Sequence, residues 1–257
     1  MRHLLLAILI VIGNSSCKKI IDIDLNDSDP VLVIEASVTK DSLLNWALLT
    51  KSMNFNDAPL PPLVSNATIK LETNDGRSEE MRMIRPGFYI SNSIRGEEGK
   101  EYTLTVEVEG KQYRAMSRIP TQIAMDSLTC KEEFGRGKTE YRITPHYQDP
   151  AGVENFYKFS ITINGLPDPN INIRNDKYYD GAYTSRPLWT TNELKKGDTV
   201  RVEMECVDSN VYLFYYTLNR SQRMSSASPS NPVSNFTGGC LGCFRGKTSQ
   251  TMEIIVE

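Results

Sequence analysis

Histidine is scarce in this chain. Only His3 and His146 occur in 257 residues, and histidine is the usual general base near neutral pH. A Ser-His-Asp site would have to use His146, beside Pro145, and no Gly-x-Ser-x-Gly elbow is present. A charge excess of one sign is also missing. Lys and Arg number 29 against 32 Asp and Glu, for a net charge of -3, so there is neither the footprint of a nucleic-acid surface nor a polybasic membrane patch. Long apolar runs are absent too: residues 4–12 form a nine-residue stretch of Leu, Ala, Ile and Val, far short of the ~20 residues that span a bilayer as a helix. No cysteine lies between Cys17 and Cys130, so apolar packing must hold the first half without an inter-sheet disulfide.

The short apolar run has a different use. Met1-Arg2-His3 supplies a positive start, residues 4–12 an apolar h-region, and Gly13-Asn14-Ser15-Ser16 a small polar approach to Cys17. This order reads as a signal peptide over residues 1–16. It resembles a lipobox of the looser Bacteroidota kind, with Asn14 where an aliphatic residue is usual, and makes Cys17 the lipid anchor. A multiply acylated Cys holds a protein to a membrane at ~0.8 kcal/mol per buried methylene. Residues 17–29 read as a polar tether.

From Pro30 onward the pattern has period two. Strands are expected over residues 31–38, 46–50, 67–72, 87–90, 102–108 and 112–115, with turns at Asn74-Asp75-Gly76 and Glu109-Gly110. Short strands with a turn about every ten residues describe an immunoglobulin-like β-sandwich over residues 30–120. Ile119-Pro120 marks a boundary. A second β-rich domain, residues 121–257, has its clearest strands at 142–145, 155–163, 199–205 and 252–256. It also carries one helix, announced by Asp208-Ser209-Asn210 and continuing over 211–224 with Leu213, Tyr216 and Leu218 near helical spacing. The expected fold class is therefore mainly β: an N-terminal sandwich followed by a second β-rich domain with one helix.

Several motifs resemble a known family in their order along the chain. They are Asp149-Pro150 with Asn155-Phe156-Tyr157, the run from Asp176 to Gly181, Leu194-Lys195-Lys196-Gly197-Asp198, and Asn231-Pro232-Val233-Ser234-Asn235 ahead of Leu241-Gly242. Together they look like the Bacteroidota lipoproteins of domain-of-unknown-function family 4249, over nearly the whole mature chain. That resemblance implies an outer-membrane lipoprotein with a sandwich-like first domain, associated with TonB-dependent transport. It implies no catalytic residue.

Gly137-Lys138-Thr139 and Gly246-Lys247-Thr248 end like phosphate loops, but the Gly needed five residues earlier is Glu132 or Leu241. Adjacent carboxylates such as Glu79-Glu80, Glu97-Glu98 and Glu132-Glu133 point to opposite faces of a strand and do not converge. Cys130, Cys206, Cys240 and Cys243 are candidates for disulfides in an oxidising compartment or for buried thiols, with zinc or redox use of Cys240-x-x-Cys243 as minor alternatives. Tyr178, Tyr179, Tyr183 and Trp189 form an aromatic-rich stretch suited to a glycan or peptide ligand; the alternative is that half of them fill the core under a long loop. Asp41-Ser42-Leu43 and Asp126-Ser127-Leu128 resemble O-glycosylation acceptors.

These features lead to the expectation of a non-enzymatic, membrane-tethered accessory or ligand-binding partner of a TonB-dependent outer-membrane complex. No catalytic residue, cofactor, metal or nucleic acid is called for. A carboxylate-dependent surface hydrolase is the alternative from another class, and a structural spacer is the third.

Overall fold

A computed structural model of the chain describes residues 29–53, 60–135, 137–223 and 231–257. The expected signal peptide, Cys17 and nearly all of the expected tether lie outside the described residues. Among the described residues no helix is long and apolar enough to cross a membrane.

The period-two segments become strands close to where alternation places them. β1 (Leu32–Thr39), β2 (Asn45–Lys51), β3 (Thr68–Thr73), β4 (Ser78–Glu80), β5 (Arg82–Arg85), β6 (Phe88–Ser91), β7 (Glu101–Val108) and β8 (Lys111–Arg118) build the first half. β7 shows why: Tyr102, Leu104, Val106 and Val108 alternate inward and are buried. The turn into β8 is tight because Glu109 and Gly110 both take positive φ, at 53° and 73°, the combination a two-residue hairpin loop needs.

The second half comprises β9 (Met125–Gly135), β10 (Lys138–Gln148), β11 (Phe156–Ile163), β12 (Leu166–Pro167), β13 (Asn172–Asn175), β14 (Tyr183–Ser185), β15 (Thr199–Val207), α1 (Ser209–Arg223), β16 (Phe236–Thr237) and β17 (Leu241–Ile255). Its core is made where Met125, Ile143 and Tyr147 on one sheet meet Tyr157, Phe159, Val200, Val202 and Met204 on the other. The fold is thus mainly β with a single described helix, as the alternation predicts.

The final strand differs most from expectation. The sequence suggests a short strand near residues 252–256 paired within the second domain, whereas β17 runs for 15 residues. From Leu241 to Lys247 it pairs in parallel with β1, and from Lys247 to Ile255 it pairs antiparallel with β15. One nine-stranded sheet therefore passes through both halves, covered by a five-stranded sheet on the first and a three-stranded sheet on the second. Phe236, Cys240 and Phe244 are buried in the first core, although they lie late in sequence. Gly242 makes the parallel pairing feasible. Its φ is +100°, and a Cβ there would stand 2.0 Å from the carbonyl oxygen of Ile34.

The helix also turns a different face inward. Leu213 and Tyr216 are exposed, while Val211, Phe214 and Tyr215 pack with Val207 and Cys243. With Leu218, which borders an apolar pocket beneath the helix, these positions follow the i, i+3, i+4, i+7 spacing. Asp208 starts the helix by accepting the Val211 N–H through Oδ1 at 2.9 Å. Its other oxygen accepts from the Ser117 hydroxyl and from the Arg118 N–H on β8, tying the helix to the first sandwich.

Under the helix a carboxylate is sealed between two lysines. Glu205 is 1% exposed; Lys158 reaches it at 2.8 Å, and Lys247 bonds both it and Glu203. Burial by itself would raise the Glu205 pKa, but the Lys158 and Lys247 charges, with Arg245 beyond them, outweigh it and hold the carboxyl down at about 2. Lys247 and Thr248, the end of one apparent phosphate loop, thus belong to the middle of a strand.

Candidate binding groove

The aromatic-rich stretch gathers on a groove of about 670 Å³ in the second half, within the size range of ligand sites. Its floor is Ile171 and the four residues of β13. One wall is the β9–β10 hairpin, through Glu133, Phe134 and Arg142. The opposite side is α1, through Tyr212 and Asn219. Tyr178, Tyr179, Arg186, Pro187 and Trp189 complete the rim.

Three of the four predicted aromatics meet here. Tyr178 is 79% exposed and Trp189 49%, so neither is core filling. Tyr183 is separate: it stacks on His146 with centroids 6.4 Å apart and does not line the groove. His146 in turn is engaged with the Thr129 hydroxyl at 2.8 Å.

Sequence reasoning missed the cations. Arg142 lies over the Trp189 ring at 4.4 Å and Arg186 over Tyr179 at 4.6 Å. Arg174 donates Nη2 to the carbonyls of Arg186 and Pro187, fixing the rim to the floor, and its pKa is lowered by burial. Asn172 holds Trp189 at both ends, accepting from its N–H at 2.9 Å and donating to its carbonyl at 2.8 Å. Arg142, Arg174 and Arg186 are far apart in sequence and come together only through strand pairing. Arg186, three residues before Trp189 and between Ser185 and Pro187, is the one visible within the aromatic stretch itself.

Behind the groove the order of the motifs acquires a physical meaning. Asp149 accepts from the Tyr157 hydroxyl and the Gly181 N–H. Asp176 accepts from the Asn155 N–H at 2.7 Å, and Asp180 from the Gly152 N–H at 2.7 Å. Burial, followed by the bond to Asp149, drives the Tyr157 pKa upward. The two loops are thereby clasped, and Gly181, at φ +71°, is required because a Cβ there would meet Ala151 at 2.8 Å. Ligand atoms of Asp149, Asp176 and Asp180 lie within 4.8 Å of one another, which would suit the oxygen shell of a hard cation. Both oxygens of Asp149, Oδ2 of Asp176 and Oδ1 of Asp180 already accept clasp bonds, and the adjoining cavity of about 10 Å³ has room for no more than about one water. Among the described groove-lining residues Glu133 is the single carboxylate.

The cysteines do not converge. All four are free, so the candidate disulfides are not formed in this structure. Cys240 faces the first core and Cys243 the cluster under α1. Cys206 and Cys130 belong to the second core, with Cys130 only partly buried. No tetrahedral set arises from them, and burial raises the thiol pKa of each, to about 12 for Cys240, opposite to what a reactive thiolate needs.

The remaining family motifs are also clasps. Asn235 bonds both the carbonyl and the N–H of Phe244 on β17, and Ser234 donates to the Gly242 carbonyl. Asp198 accepts from Lys195 N–H and Asn164. Ser42 uses its hydroxyl on Leu44, while Ser127 is exposed on β9.

No curated protein matches the chain. Residues 18–253 match the family described as "Domain of unknown function (DUF4249)", and the chain belongs to that family.

Proposed function

We propose that this protein is an outer-membrane lipoprotein, anchored through Cys17, that acts as a non-enzymatic accessory or ligand-binding partner of a TonB-dependent transport or assembly complex. The observation carrying the binding part is the groove: exposed Tyr178 and Trp189 stand beside Arg142, Arg174 and Arg186 on a rigid sheet edge. Aromatic bodies and guanidinium groups grip ligands through stacking and charge. A spacer would have no use for such a surface. A carboxylate-dependent hydrolase would need two acids facing a cleft; Asp149, Asp176 and Asp180 each serve the loop clasp, and among the described groove-lining residues only Glu133 is acidic.

The test is affinity purification of the full chain, at native abundance, from solubilised outer membranes. Recovery with a TonB-dependent outer-membrane protein is expected, and Trp189→Ala should reduce it without changing the protein's own abundance. Recovery of the protein alone would overturn the proposal. Cys17→Ala should move the protein from the membrane to the soluble fraction.

A further inference from the structure

β13 is the last strand on its side of the nine-stranded sheet. It pairs antiparallel with β11 and, among the described residues, has no strand on its other side. The register shows which backbone groups are engaged. Asp176 N–H donates to the Asn155 carbonyl at 3.2 Å, so the pairs Tyr157 with Arg174 and Phe159 with Asn172 are the mutually hydrogen-bonded ones. Ile173 and Asn175 fall between them and turn their N–H and C=O groups away from β11. Ile171 belongs to the same outward set, and its carbonyl accepts from Asn219 at 2.8 Å. All five residues from Ile171 to Asn175 line the groove. A strand showing only one face would contribute alternate residues, so it is the edge of β13 that opens into the groove.

We infer that the groove takes an extended, acidic peptide segment of a protein partner as an added strand against β13, an inference that rests on the groove being the binding element. The backbone groups of Ile173 and Asn175 supply the ladder for strand addition. Arg142 is paired with Glu140 at 2.6 Å, so Arg174 and Arg186 against Glu133 set the sign of the partner's charge. Phe134, Tyr178 and Trp189 at the rim offer apolar bodies to alternate side chains. An acidic oligosaccharide would satisfy the arginines but leave the outward N–H and C=O groups without the regular spacing they match.

The experiment uses the purified full chain and a fluorescent nonapeptide of alternating Val and Glu, read by anisotropy. Three probes accompany it: the Val/Lys counterpart, the Val/Glu peptide N-methylated at alternate residues, and oligogalacturonate. The Val/Glu peptide should bind. The Lys and N-methylated versions should bind at least about tenfold more weakly, the loss of a charge-assisted or ladder contact. Hydrogen exchange should show the Ile173 and Asn175 amides newly protected. Arg186→Ala should weaken binding severalfold with an unchanged melting temperature. Equal binding of the N-methylated peptide, or unprotected Ile173 and Asn175 amides, would overturn strand addition, and equal binding of the Lys peptide would overturn the acidic preference. If oligogalacturonate binds in the groove and the peptide does not, this inference falls while the binding role of the groove stands. If neither binds, both fall.

Discussion

Replacing Glu205 by Gln removes one negative charge and almost no volume from the sealed site under α1. Lys247 keeps Glu203 at 2.9 Å as a partner, but Lys158 is left with the Ser160 hydroxyl at 2.7 Å. Breaking a buried pair from one side costs about 3–5 kcal/mol. The carboxyl itself yields a similar figure: its pKa falls from an ordinary 4.5 to about 2 on folding, and each pH unit is worth about 1.4 kcal/mol, or about 3 kcal/mol in all. Because the folded value is the lower one, this stabilisation is present above pH 4.5 and is lost as pH falls toward 2. Urea unfolding of the wild type and Glu205→Gln should therefore differ by about 3 kcal/mol at pH 7, with the gap closing below pH 4.5. Glu203→Gln, at a partly exposed site, should cost under about 1 kcal/mol, and Lys158→Met should recover part of the Glu205→Gln loss. A Glu205→Gln cost below that of Glu203→Gln, or one that stays constant from pH 7 to pH 2.5, would refute the reasoning.

Gly242→Ala should be among the most damaging single substitutions, costing upwards of about 3 kcal/mol, since it combines backbone strain with a clash against Ile34; thermal unfolding checks this. Asp208→Ala removes a helix cap and two bonds to β8 and should lower stability by about 2–3 kcal/mol, whereas Asp208→Asn retains most of the cap, as circular dichroism melts would report. Under native conditions a thiol reagent should label Cys130 fastest and leave Cys206, Cys240 and Cys243 protected until urea is added. Prior reduction should not change the number labelled, and a non-reducing mass two units lower per pair would contradict the free-thiol arrangement.

Local rules accounted for a large share of the fold. Alternation placed β1, β3, β7, β11 and β15 to within a residue or two at most ends, because each buries one face and exposes the other. Glu109-Gly110 and Asn164-Gly165 both adopt the positive φ their residue types tolerate, and Asp208 caps the helix it announces. The short strands β5, β12, β13 and β14 escaped, since two to four residues carry too little pattern. The helix face was misread because Leu213 and Tyr216 are apolar yet exposed; composition near 3.6 spacing could not tell which of two adjacent stripes meets the sheet.

The sequence by itself determined that the chain is mainly β, where its hairpins turn, and that its aromatic stretch differs from the rest. It also carries the nine-residue apolar run ahead of Cys17. Tertiary structure alone decided that β17 joins both sandwiches, that Arg142, Arg174 and Arg186 meet Tyr178, Tyr179 and Trp189, and that Tyr183 stands apart. The physical reason is range. Alternation, turns and caps depend on neighbours a few residues away, whereas parallel pairing, close backbone approach and a groove between a hairpin and a helix join residues tens to hundreds of positions apart, and no local pattern records them.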